Sequence, residues 1–221
     1  MPSVDKVRDR DKRVPDVTVA RLSVYARLLA TLQSEGWETV SSAMMADRTP
    51  YAAAQIRRDL AWFGQLGTRG KGYDIRGLRE TLDGILGVDA VRRVALVGVG
   101  NLGSALLGYT GFRTRNFRIV AAFDTDMRKV GRTSPDGVRV HSMGELPAVV
   151  AEERVEIAIL AVPVPAAQSA LDAVVDAGIR GVLNFAPTHL QPPPEVRVST
   201  VDLAIEMEGL SYYLGRNAQQ G

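Results

Sequence analysis

"VALVGVGNLGSALL", residues 94–107, decides the fold. An apolar run enters a glycine turn, Gly98-x-Gly100-x-x-Gly103, and leaves through residues that favour a helix. In a strand–turn–helix unit the three glycines have separate tasks. Gly98 permits the tight turn, Gly100 lets the backbone approach a pyrophosphate, and Gly103 lets the helix pack closely on the strand. The phosphates then sit at the positive end of the helix, against free N–H groups. Gly98, Val99, Gly100, Asn101, Leu102 and Gly103 are therefore the candidate cradle for a dinucleotide. The glycine pattern alone is weak, but here the next apolar strand ends in "VAAFDTD", and Asp124 lies 21 residues after Gly103. That is near the spacing of the acid that holds the adenosine ribose. Its carboxylate would accept from the ribose hydroxyls and repel a 2′-phosphate, which favours NAD(H) over NADP(H). Arg128 and Lys129 follow closely and soften that preference.

Toward the C-terminus, strand candidates "VRVHS", "EIAILAVP", "GVLNFAP" and "RVSTVD" alternate with helical stretches over 144–153 and 165–177. Apolar strands alternating with helices predict a parallel sheet covered on both faces. Ligands of such sheets bind outside the carboxyl ends of the strands. Val162 and Pro163 at one end, and Asn184, Phe185, Ala186 and Pro187 at another, complete the candidate cofactor set. The tail places Leu203, Met207, Leu210 and Leu214 on one helical stripe.

Toward the N-terminus the texture is different. Leu22, Tyr25, Leu28, Leu29 and Leu32 recur at helical spacing, and Gly36 ends that helix. Ser41 and Ser42 are N-cap candidates for a short second helix, "SAMMAD", and Pro50 suits the first turn of a third, "YAAAQIRRDLAWF". Two helices joined by a tight turn make a helix-turn-helix. "GQLGTRGKGY" carries four glycines in residues 64–72 with two cations between them, a β-hairpin or wing. A further helix over 75–87 is expected to link the two halves. From Asp47 to Arg79 seven basic residues stand against three acids, in a chain whose overall net charge is only +2. A local basic footprint of this kind suits a polyanion. Arg57 and Arg58 on the third helix can reach guanine edges or phosphates, Gln55 can read an adenine edge, and Arg69 among glycines can enter a narrow minor groove.

Composition removes several classes. With no cysteine among 221 residues there is no disulfide, zinc-thiolate site or thiol nucleophile. No apolar run approaches the roughly 18 residues of a membrane helix, and the charged N-terminus lacks the apolar core of a signal peptide, so a cytoplasmic location is expected. The two histidines, His141 and His189, have no carboxylate at close sequence spacing to orient them, and no metal constellation is present. After the dinucleotide fold only a short tail remains, too small for a substrate domain. The cofactor reads as a ligand to be sensed, and no enzyme activity is expected. Two other readings stay open: a small NAD-dependent oxidoreductase, and a CoA- or other nucleotide-binding module with no DNA role.

"AQIRRDLAWFGQLGTRGKGY" followed by "VGVGNLGSALLGYTGF", "AAFDTD", "LNFAP" and "VDLAIE" resembles the Rex family of redox-sensing transcriptional repressors, from about Pro15 to the end. The resemblance implies a homodimer that binds an inverted-repeat operator when NADH is low and is released by NADH. Each chain would have a disordered tail (1–15), a winged-helix DNA-binding domain (16–88), a Rossmann domain for NADH/NAD⁺ (89–201) and a C-terminal helix swapped between subunits (202–221). It places Ser42, Ala54, Gln55, Arg57 and Arg58 on the DNA-contacting helices, and Arg69, Gly70 and Lys71 on the wing. Tyr109 and Asp202 fall on positions tied to the domain rearrangement, and Arg27 on a first-helix arginine that pairs with that aspartate. Three positions depart from the family: Arg58 replaces a common lysine, Lys71 a small apolar residue, and Leu203 a phenylalanine near the nicotinamide in some members.

Overall fold

The computed structural model describes residues 14–68 and 70–217. Most of the expected disordered tail lies outside the described residues, as does Arg69. Pro15, assigned to that tail, instead stands at the N-cap of the first helix. The chain divides into two compact units, Met1–Ala90 and Val91–Gly221.

In the first unit, α1 (Asp16–Ser34) buries Leu22, Tyr25, Ala26, Leu29 and Leu32, the stripe expected from the sequence. Gly36 (φ 85) closes the helix, with Trp37 N–H donating back to the Leu32 carbonyl. Strand β1 (Thr39–Val40) leads to α2 (Ser42–Asp47), capped by the Ser41 hydroxyl, which accepts from Met44 N–H. The third helix, α3, runs Ala53–Ala61. Pro50 therefore stands in the turn before it and not in its first turn, because Ala52 is the residue whose carbonyl accepts the first helical bonds, from Gln55 and Ile56. After the Thr68–Gly72 hairpin, β2 (Tyr73–Asp74) pairs antiparallel with β1, which gives the wing its base. Helix α4 (Ile75–Leu86) starts on the Asp74 side chain, which accepts from Gly77 N–H, and ends on Gly87 in the left-handed region.

The expectation that this helix links two halves is corrected. Its buried residues Ile75, Leu78 and Leu82 belong to the same core as Leu22, Leu29, Met45, Ile56 and Leu60. A stripe spaced i, i+3, i+7 needs an apolar partner, and α1 supplies it.

The second unit is a six-stranded parallel sheet: β3 (Arg92–Val97), β4 (Phe117–Asp124), β5 (Val140–Ser142), β6 (Ile157–Leu160), β7 (Gly181–Asn184) and β8 (Arg197–Thr200). The spatial order is β5-β4-β3-β6-β7-β8. Renumbered from the first strand this is 3-2-1-4-5-6, the doubly wound dinucleotide order, whose direction reverses between β3 and β6. Alternate residues of β3 face opposite layers. Ala95 and Val97 pack with α7 (Leu146–Glu152) and α8 (Val164–Asp176), while Val94 and Leu96 pack with Leu107 of α5 (Asn101–Leu107) and Phe112 of α6 (Thr110–Arg113). Helix α9 (Leu203–Asn217) follows β8. Its apolar side chains are open: Leu203, Met207, Leu210 and Leu214 are 60–72% exposed. Among the described residues no helix is long and apolar enough to cross a membrane.

Because α4 is part of the core, Leu82→Ala is expected to cost about 2–5 kcal/mol, the range for a buried leucine truncated to alanine. Urea denaturation of the N-terminal unit measures it; a loss under about 0.5 kcal/mol would restore the linker reading.

Candidate functional site

The glycine turn has the geometry its pattern requires. Gly98 adopts φ 94, and a Cβ there would meet the Ala161 carbonyl oxygen at 2.5 Å and Val162 Cγ1 at 2.8 Å. The turn is thus pressed against the end of β6, at the point where the sheet order reverses. A Cβ on Gly103 would lie 1.9 Å from the Gly98 carbonyl oxygen, so only glycine lets α5 start this close to its strand. In front of Gly100 there is open space, with nothing within 4 Å of a built Cβ. The first N–H groups of a helix have no partner within it, and Asn101, Leu102 and Gly103 occupy those positions here. The cradle fits a pyrophosphate.

Asp124 is only 8% exposed. Its Oδ2 accepts from Val99 N–H and from Lys129 Nζ, at 2.8 and 2.9 Å, and its Oδ1 accepts from Asp126 N–H at 2.8 Å. Burial pushes its pKa up, but the Asp126 amide, Lys129 and the Val99 amide together hold it below the usual carboxylate value. Asp124 thus braces the glycine turn, and the Val99 amide, expected in the cradle, is spent on that brace. A carboxylate offers about four acceptor positions, so one remains on Oδ1. The two cations expected to soften selectivity are both engaged: Lys129 by Asp124, and Arg128 by Asp126, whose pKa they hold down at about 2.

The strand-end residues divide. Val162 and Pro163 sit where β6 passes into α8, with Val162 beside Gly98. Phe185 is half-buried and Pro187 exposed on the turn after β7. Asn184 corrects the expectation of a cofactor contact. It is fully buried, its Oδ1 accepts from Ala186 N–H, and its Nδ2 donates to the Ala186 carbonyl. It shapes the turn and has no face toward the cleft. His141 is also corrected: Glu145 lies four residues on, with Oε1 3.5 Å from His141 Nδ1. His189 is exposed. Among the described residues no group of His, Cys, Asp or Glu could hold a metal ion.

In the first unit, α3 presents Ala54, Arg57 and Arg58 to solvent, with Gln55 half-buried beside them. Arg57 Nη1 donates to the Ser42 hydroxyl at 2.9 Å, which ties α3 to α2. A groove of about 550 Å³ runs between α3 and the wing, lined by Ser42, Arg57, Gln65, Gly70, Lys71 and Tyr73.

The residue that sequence reading passed over is Asp59, tallied there only as one acid among the arginines. It is 1% exposed. Its Oδ2 accepts from Arg21 Nε at 2.6 Å and Tyr25 Oη at 2.8 Å, and its Oδ1 from Arg21 Nη2 at 2.7 Å and Gln55 Nε2 at 2.8 Å. Burial raises its pKa, and the four donors more than reverse this, leaving it lowered. The signal was present: Asp59 lies between Ile56 and Leu60 on the buried face of α3, and Arg21 is followed four residues on by Tyr25 along the stripe of α1.

Of the switch residues, Arg27 is exposed on α1 and Tyr109 is exposed with its ring edge-on to Phe112 at 5.0 Å. The Asp202 carboxylate accepts from Ala204 N–H at 2.9 Å, at the start of α9.

Comparison with known proteins adds the following. Residues 89–188 match the family model described as a CoA binding domain, and residues 13–61 match "Putative DNA-binding protein N-terminus". The redox-sensing transcriptional repressor Rex of Carboxydothermus hydrogenoformans is 44% identical, over 93% of this chain and 98% of its own length. That of Lactobacillus gasseri is 46% identical, over 91% and 94%. The crystal structure of RSP in complex with β-NAD⁺ and operator DNA superposes with a TM-score of 0.88 at 32% identity, covering 95% of this chain and 96% of that one. RSP in complex with β-NADH gives 0.83 at 31% identity, covering 95% and 98%. A nucleotide-binding module alone would match only the second unit; these relatives match both.

The lowered pKa of Asp59 fixes the sign of a pH effect. A carboxyl depressed on folding stabilises fully above its unfolded value, near 3.8, and loses that contribution as pH falls through the folded value. Asp59→Asn should therefore cost about 3 kcal/mol near neutrality, as when one partner of a buried pair is removed. The gap to wild type should shrink below about pH 4 in urea titrations; a gap independent of pH would show that the charge on Asp59 is not what stabilises α3.

Proposed function

The chain belongs to the Rex family of redox-sensing transcriptional repressors, and from that premise we propose that it binds an inverted-repeat operator as a homodimer and leaves it when NADH fills the cradle. It is a regulator and not an enzyme. The observation that carries this is the pairing, in one chain matched along almost its whole length, of a helix with two exposed arginines and a glycine turn built for a dinucleotide. Repressor and cofactor pool would meet in the cytoplasm.

Arg57 and Arg58 make the principal DNA contacts, with Ser42, Ala54, Gly70 and Lys71 following the backbone and Arg69 entering the minor groove. Gly98, Gly100, Asn101, Leu102 and Gly103 hold the pyrophosphate, and the remaining acceptor of Asp124 takes a ribose hydroxyl. Val162, Pro163, Phe185 and Pro187 line the cleft, whereas Ala186, expected with them, is buried in the core with both backbone groups bonded to Asn184. A dimer places two recognition helices in successive major grooves only if their separation matches the site. NADH must therefore bind more tightly to a dimer of the wrong separation. Helix α9 couples the two events. Its open apolar side chains support packing into the partner subunit, and Leu183 and Phe185 of its own unit stay half-buried on the sheet face that carries α5. Arg27, Tyr109 and Asp202 are the switch residues, whose surroundings differ between the two dimer states.

Fluorescence anisotropy on an operator selected from random DNA is expected to show release by NADH and none by NADPH at equal concentration, since a 2′-phosphate meets the buried Asp124. Equal release by both overturns the role of Asp124. Ending the chain at Asp202 is expected to give a monomer by sedimentation that no longer binds the full operator; a stable dimer with normal NADH release would refute the coupling through α9.

A further inference from the structure

Asp59 dictates the orientation of an amide. A buried carboxylate only accepts hydrogen bonds, so the group of Gln55 facing Asp59 Oδ1 at 2.8 Å is the Nε2 donor. The Oε1 acceptor is thereby turned away, and there it accepts from Arg58 Nη1 at 3.2 Å. Reading an adenine edge takes a free donor and a free acceptor of one amide, aimed together at the base. In Gln55 one Nε2 hydrogen is committed to Asp59 and one Oε1 lone pair to Arg58, which sets the plane of the amide from within the protein. Arg57 has a different tether, the Ser42 hydroxyl on α2 at 2.9 Å.

We propose that Asp59 and Gln55 are positioning residues for Arg58: a relay that runs from α1 through the buried carboxylate and the amide to the guanidinium that meets DNA. Arg21 and Tyr25 grip Asp59 from α1 through three hydrogen bonds, so the carboxylate is fixed in the core and not on the helix surface. The amide carries that fixed direction one step outward. Arg58 is a long side chain that would otherwise lose its rotamer freedom on binding, and the relay removes part of that loss beforehand. With its amide plane set in this way, Gln55 serves to position Arg58 and takes no base of its own. The two arginines are set independently, Arg58 from α1 through Asp59 and Arg57 from α2 through Ser42.

This rests on the assignment of α3 as the DNA-facing helix, and the test separates the two. The affinity of full-length wild type, Gln55→Leu, Arg57→Ala, Arg58→Ala and the two doubles with Gln55→Leu is measured on a double-stranded oligonucleotide selected by the wild type from a random pool. Gln55 is half-buried, so leucine keeps the fold; thermal melting verifies it. Gln55→Leu should weaken binding about two- to tenfold, the span of one net hydrogen bond. That loss should vanish in the Arg58→Ala background and persist in the Arg57→Ala background. The order of base preference along the site should not change between wild type and Gln55→Leu, except at the pair that Arg58 contacts. Equal losses in both backgrounds, loss of preference at a pair that Arg58→Ala leaves untouched, or unchanged affinity of Gln55→Leu overturns the relay. If Arg57→Ala and Arg58→Ala both bind as the wild type does, it is the assignment of α3 that fails.

Discussion

A carboxylate or amide removed from water must find its hydrogen-bond partners inside the protein, because leaving it unpaired costs several kcal/mol. Both functional elements of this chain are fixed by that requirement. Among the described residues the buried polar ones are Thr18, Asp59, Asp124 and Asn184. Asp59 gathers donors from α1 and α3 and so holds α3, the helix with the two exposed arginines, on its core. Thr18 joins the same network by accepting from Arg21. Asp124 takes the Val99 amide and holds the glycine turn in place. Asn184 closes on both backbone groups of Ala186 and shapes the turn at the next strand end. An apolar core positions elements to within the slack of side-chain packing, whereas a saturated carboxylate sets direction as well as distance.

The two units put this device to different ends. In the first, Gln55 extends the network to the guanidinium of Arg58 and Ser42 holds that of Arg57, and both arginines stay exposed. In the second, the brace lies behind the turn, so the space in front of Gly100 stays open and the amides at the start of α5 face it. Rigid parts of this kind can be read out only if something between them moves. Helix α9 carries apolar side chains that its own unit leaves in solvent.

Much of this was legible from residue order alone. The helical stripe of α1, the serine cap of α2 and the span of α5 stand where periodicity and capping chemistry put them. The glycine turn follows its strand as the pattern requires. These are local facts, set by the allowed φ of glycine, the period of a helix and the reach of a capping hydroxyl. The helix read over 75–87 is also present as α4, one residue shorter because Gly87 caps it, but its place was not legible. Its stripe could face any apolar surface, and only the packing on α1 made it part of a core.

What the sequence determined by itself is therefore the set of elements, their order, the dinucleotide turn and the basic helix, because each depends on residues a few positions apart. What only the tertiary structure decided is which polar side chains face inward. Arg21 and Asp59 are 38 positions apart, and Val99 and Asp124 are 25. Asp59 looked like one more solvated charge, Asp124 like a free ribose acceptor and Asn184 like a cleft residue. Asp59 and Asp124 are held by partners brought near by folding, and Asn184 by the backbone of its own turn once folding has buried it.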